Sequence, residues 1–150
     1  MFRFMMFTAC LVLLSACAPT DPMDQPVSSS STPSPSNNPY APQPGDSALV
    51  RAQFFLDKEG TSILAMESYP VQFTVSLKGS LPTACHQPRI VVNQPDADNK
   101  IVLEAYSVVD PNKVCAEMIQ MFEANIPLGT FPKGHYSIWV NEEQIGEIDA

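Results

Sequence analysis

Val71-Gln72-Phe73-Thr74-Val75-Ser76-Leu77-Lys78 alternates apolar and polar residues without a break, which places Val71, Phe73, Val75 and Leu77 on one face of an extended chain. Successive side chains of a strand point to opposite faces, so this is the pattern of a half-buried β-strand. Phe122, Ala124, Ile126 and Leu128 repeat it, with Glu123 and Asn125 outward. Tyr136, Ile138 and Val140 do so again, opposite His135, Ser137, Trp139 and Asn141. Less regular stretches at 49–56, 62–65, 89–93, 101–109 and 144–148 also read as strands. Turn-forming residues fall between them: Asp57-Lys58-Glu59-Gly60, Lys78-Gly79-Ser80, Gln94-Pro95-Asp96-Ala97-Asp98-Asn99 and Pro132-Lys133-Gly134. About seven or eight short strands punctuated in this way predict an all-β fold, an antiparallel β-sandwich. One helical turn is expected after Asp110-Pro111, with Val114, Met118 and Met121/Phe122 as its apolar stripe.

Around these strands the composition changes sharply. The chain has 150 residues, enough for one domain, and the strand-rich part spans 48–150. Residues 18–47 hold eight Pro, seven Ser and a single aromatic, Tyr40. Such a segment buries too little apolar surface to offset its ordering entropy, so 17–47 reads as a disordered tether. Its reach is about 30 Å as a coil and about 90 Å as a polyproline helix. A net charge of −8 argues against nucleic acid, whose phosphates require clustered Lys and Arg.

Ahead of the tether, Arg3 precedes the apolar run Phe4-Met5-Met6-Phe7-Thr8-Ala9-Cys10-Leu11-Val12-Leu13-Leu14, which is too short for a membrane-spanning helix and fits a signal segment. The run ends in Leu14-Ser15-Ala16-Cys17, which resembles the lipobox of bacterial lipoproteins at every position. The resemblance implies removal of 1–16 and lipidation of the Cys17 thiol, hence an exported protein anchored to a membrane. With Ala18 rather than Asp after the lipidated Cys, that membrane is the outer membrane or the outer face of the cytoplasmic one.

A second resemblance concerns the domain. Ile126-Pro127-Leu128 followed by Pro132-Lys133-Gly134-His135-Tyr136-Ser137-Ile138 is similar to the turn and late strand of immunoglobulin-like domains, which implies that Tyr136 bonds back across a corner. Glu67-Ser68-Tyr69-Pro70-Val71-Gln72, Gly79-Ser80-Leu81-Pro82-Thr83-Ala84-Cys85, Val114-Cys115 and the block from Phe122 to Leu128 also resemble a group of small bacterial lipoproteins with no established activity. In an exported chain whose Cys17 is acylated, the isolated pair Cys85 and Cys115 reads as a disulfide.

Sites for chemistry are few. His86, His135 and Met118-x-x-Met121 are ligand types that suit copper, but nothing in the sequence gathers them, and gap-filling Met with surface His is the simpler account. Asp96, Asp98 and Lys100 imitate the opening of a calcium loop, yet Lys stands at the fifth position and the stretch reads as a turn. No G-x-S-x-G, H-E-x-x-H or Gly-rich phosphate loop is present. No cofactor, metal or catalytic residue is therefore expected. Trp139 stands out. It shares its alternating face with His135, Ser137 and Asn141, and is either a binding anchor or a residue covered by the second sheet.

These readings lead to a non-catalytic, membrane-anchored envelope module that binds an envelope protein or a glycan. Two alternatives stand beside it: a protease inhibitor that inserts the loops at 81–89 or 131–134 into a cleft, and a copper carrier.

Overall fold

The computed structural model describes residues 38–150, so the signal segment and Cys17 lie outside the described residues. Among the described residues, nine strands form two sheets: β1 (Val50–Ala52), β2 (Phe55–Leu56), β3 (Ser62–Met66), β4 (Gln72–Leu81), β5 (Gln87–Val92), β6 (Lys100–Val109), β7 (Gln120–Gly129), β8 (His135–Val140) and β9 (Glu143–Asp149). In the first sheet β6 is central, with β5 on one edge and β1 and β8 sharing the other, and β9 lies beyond β8. In the second, β4 has β2 and β3 along one edge and β7 along the other. The expected all-β sandwich is present.

The alternating segments close its core. Phe73, Val75, Leu77 and Leu81 from β4 meet Ile101, Leu103, Ile138 and Val140 from the opposite sheet, and Ile126, Tyr136 and Ile148 complete the cluster. The Tyr136 hydroxyl donates to the Pro132 carbonyl at 2.9 Å, the corner bond that the second resemblance implied.

Several expectations are corrected. The stretch 49–56 is not one strand: it changes sheets at Gln53-Phe54, where Phe54 turns into the core and the Ser107 hydroxyl donates to the Gln53 carbonyl at 2.7 Å. Lys78-Gly79-Ser80 is not a turn, because β4 runs straight through it. Gly79 is needed for close approach instead, since a Cβ there would lie 2.5 Å from the Phe54 ring. No helix follows Asp110-Pro111. Asp110 accepts from the Asn112 and Lys113 amides, and the chain then runs irregularly to β7 with Val114, Met118 and Met121 exposed.

The antiparallel expectation holds for every pairing except β6 with β8, which run parallel. The cause is topological. The chain leaves β6, crosses to the other sheet as β7 and returns as β8, so two reversals restore the direction of β6.

Residues 38–47, expected in the tether, pack on the sandwich. The Asn38 side chain donates to the Ile90 carbonyl at 2.8 Å, and the Ile90 amide donates to the Tyr40 carbonyl at 2.8 Å. The Tyr40 ring meets Phe122 edge-on with centroids 5.1 Å apart. A 3-10 turn over Pro44–Ala48 then brings Asp46 onto Arg89, whose Nε and Nη2 both donate to its carboxylate at 2.8 Å. Arg89 is buried, and this bidentate partner compensates its charge. The guanidinium in turn holds the Asp46 carboxyl below its ordinary range, so the pair supports folding above that range and loses this support as pH falls through the lowered value.

Candidate binding face

The pleat of β8 turns His135, Ser137 and Trp139 away from the core while Tyr136, Ile138 and Val140 are buried. Trp139 is half-buried on the outer surface of its sheet and is not covered by the second sheet. Its Nε1 donates to the Ser137 hydroxyl at 3.1 Å, and the Lys100 ammonium stands 3.8 Å from the ring centroid. Cross-strand pairing puts Lys100 beside Ser137 and Val102 beside Trp139.

The same outer face continues along β6. Tyr106 lies under the Arg51 guanidinium, 3.8 Å from its ring, and Arg51 pairs with Glu104. Two aromatic rings on one face are thus each held against a cation, an attraction of about 0.5–1 kcal/mol at exposed sites. Between the ends of β1 and β8 lies an open hollow of about 400 Å³ lined by Arg51, Gln53, Phe54, Tyr106 and Asn141 among others.

His135 sits at the far end of the face. Its Nδ1 meets Asp149 at 2.8 Å and its Nε2 meets Glu147 at 3.2 Å. A carboxylate at each nitrogen favours the doubly protonated ring, in which both nitrogens donate, and the hydrogen bond to Asp149 is the main cause that raises the His135 pKa above its ordinary value. The raised value means that this contribution to stability is complete below the unfolded pKa of about 6.5 and fades as pH rises through the folded one. Following the His135 ring protons by NMR against pH, we expect a midpoint above 6.5 that Asp149→Asn brings back toward it. An unchanged midpoint in that variant would contradict the pairing.

Asn141 does not belong with the other three. At φ 53° it turns the chain from β8 to β9, a conformation Asn tolerates. Its side-chain oxygen accepts from the Ala105 amide at 2.9 Å and its Nδ2 donates to the Ala105 carbonyl at 3.1 Å. Both amide groups are consumed in bridging β6, so little is left to offer a ligand.

The remaining candidates are dispersed. Thr83 engages His86 Nδ1 at 2.8 Å, Met118 and Met121 are exposed rather than filling core gaps, and no group of three or more His, Cys, Asp or Glu is arranged for a metal among the described residues. Asp96 accepts from the Asp98 and Lys100 amides, the turn expected there. Cys85 and Cys115 form a disulfide with Cα atoms 6.0 Å apart, tying the loop before β5 to the segment before β7.

Sequence reasoning missed Lys100, Arg51 and Tyr106. The polar positions of β6, Lys100, Glu104 and Tyr106, alternate with Ile101, Leu103 and Ala105, so the signal for an outer face was there. The partner Arg51 comes from a stretch more than forty residues away, which periodicity cannot connect.

Two sheets packed face to face about one apolar core define a β-sandwich domain. Residues 75–149 match the ORF11 beta-sandwich domain family, and the chain belongs to it. No curated protein and no solved structure matches the chain.

Proposed function

We propose that this protein is a non-catalytic binding module of the cell envelope, held to a membrane by a lipid on Cys17, and that it engages a glycan or an envelope protein through the outer face of β8 and β6. The observation that carries the reading is Trp139, a half-exposed indole fixed by Ser137 and Lys100 on a strand rather than on a loop. A rigid aromatic surface with polar groups at its rim suits both a sugar ring and a protein anchor. The lipobox resemblance of Leu14-Ser15-Ala16-Cys17 supports the envelope address, together with the Pro/Ser-rich stretch that follows it.

Trp139 is the single tryptophan of the chain, so its fluorescence reports directly on this face. Titration of the full chain with envelope oligosaccharides should give a saturable change, and Trp139→Ala should weaken binding about tenfold or more, measured by calorimetry. For a protein ligand, crosslinking in intact cells should capture a partner with the natural chain and lose it with Trp139→Ala. If no oligosaccharide binds and the two chains capture the same proteins, this face is not the site.

The protease-inhibitor reading, expected through the loops at 81–89 or 131–134, is supported by one observation on a different segment. Val114 is wholly exposed on an irregular segment braced at its neighbour Cys115 by the disulfide, the form of a loop that enters a cleft. Inhibition of a serine or cysteine protease, lost on reduction, would move the function there.

A further inference from the structure

The outermost strand of the second sheet, β7, pairs with β4 along one edge and, among the described residues, with no strand along the other. A free edge presents unpaired N–H and C=O groups that natural sheets shorten, bend or cover. Here it is ten residues long.

Three observations indicate what completes it. Ala124 and Phe122 face the core side of the sheet yet stay half-buried, whereas Leu77, opposite Ala124 on β4, is fully buried. Tyr40 and Phe54 meet the Phe122 ring edge-on, and beyond them the core side of this edge is left part-exposed. On the outer surface, Phe55 and Met121 flank Ser80 in one cross-strand row and are 47% and 71% exposed. Finally, the Gln120 side chain donates to the Met121 carbonyl at 3.1 Å, and Pro127, which has no N–H, lies six residues further on. A proline within a strand belongs where its missing donor faces away from the ladder. Met121, Glu123, Asn125 and Pro127 thus turn their backbone groups to the free edge.

We propose that β7 is the interface of a symmetric homodimer, formed by antiparallel pairing of two β7 edges about Ala124. In this register Ala124 faces its own copy, Phe122 faces Ile126, and Glu123 faces Asn125 twice over by symmetry. Glu123 and Asn125 then exchange backbone hydrogen bonds, as the free groups require. Centring the pair on Glu123 opposes like charges, and centring it on Asn125 sets Glu123 against the donorless Pro127. The chosen register offers the Asn125 amide as a donor to Glu123, which keeps its own Lys78 at 3.3 Å. The part-exposed core-side residues Phe122 and Ala124 of the two copies then close against each other, beside the Tyr40 ring that already meets Phe122.

The test is sedimentation equilibrium on the full chain in non-ionic detergent. Asn125→Lys places a cation opposite Glu123 in both symmetric pairs and should tighten the dimer about fivefold, while Asn125→Glu should loosen it by a similar factor. Asn125→Pro removes an edge N–H that β4 does not use, and should abolish the dimer with the strand signal in circular dichroism unchanged. A monomer up to several hundred micromolar overturns the proposal. So does an association that ignores the charge at position 125, as chains merely sharing a micelle would.

Discussion

Replacing both Cys85 and Cys115 by alanine is expected to cost about 3–4 kcal/mol of stability and to lower the melting temperature by roughly 15–20 °C. The bond spans a sequence separation of 30 and crosses from the loop before β5 to the segment before β7, two places with no other regular structure. Without it, the unfolded chain regains the freedom that the closed loop denies it. In the folded state the segment at 110–119 loses its one covalent hold, since its few backbone hydrogen bonds are local and Val114, Met118 and Ile119 face solvent. Thermal melts followed by circular dichroism, with and without reductant, measure the effect. The natural chain in reductant should melt with the double variant, and the variant should not respond to reductant. If the oxidised and reduced forms melt together, the link contributes nothing.

Asn141→Ala is expected to cost about 2–3 kcal/mol: about 1 kcal/mol for each of the two hydrogen bonds to Ala105, and the remainder because alanine tolerates a positive φ less well than asparagine. The site is a gap in the ladder. Along one edge of β6, β8 pairs as far as Leu103 and β1 begins at Ser107, so Ala105 would face no strand. The Asn141 carboxamide fills that place as a peptide group would, one acceptor and one donor against the Ala105 amide and carbonyl. Asn141→Gly retains the turn conformation and should cost about 1 kcal/mol less than alanine. Urea denaturation of the three chains orders them, and amide exchange at Ala105 locates the loss. Equal stability of all three would remove the clamp from the account.

Strand positions were legible wherever burial is one-sided, because alternation is then written directly into residue type: Phe73 to Leu77, Phe122 to Ile126 and Tyr136 to Val140 behave as read. Direction was not legible. The parallel meeting of β6 and β8 follows from the order in which the chain visits two sheets, and no local pattern carries that. Gly79 misled because glycine marks turns and close approaches alike, and only the position of Phe54 tells them apart. In the Pro- and Ser-rich stretch, composition outvoted three specific residues. Asn38, Tyr40 and Asp46 act through single partners, Ile90, Phe122 and Arg89, which lie far along the chain. The same holds at the binding face, where Trp139 could be singled out by residue type but Lys100 and Arg51 could be placed only by the fold.

The strap formed by residues 38–48 has a mechanical consequence. A pull arriving through the chain before Asn38 falls first on the Asn38–Ile90 and Tyr40–Ile90 contacts, then on the Asp46–Arg89 pair, loaded one after another as in unzipping. The strap touches both sheets, since the Tyr40 ring also rests on Phe122 of β7, but its contacts are few and none is a strand pairing, so it is expected to peel at a lower force than the one that opens the sandwich. Its release adds about 35–40 Å of slack, and the domain yields like a sprung leash before any strand is disturbed.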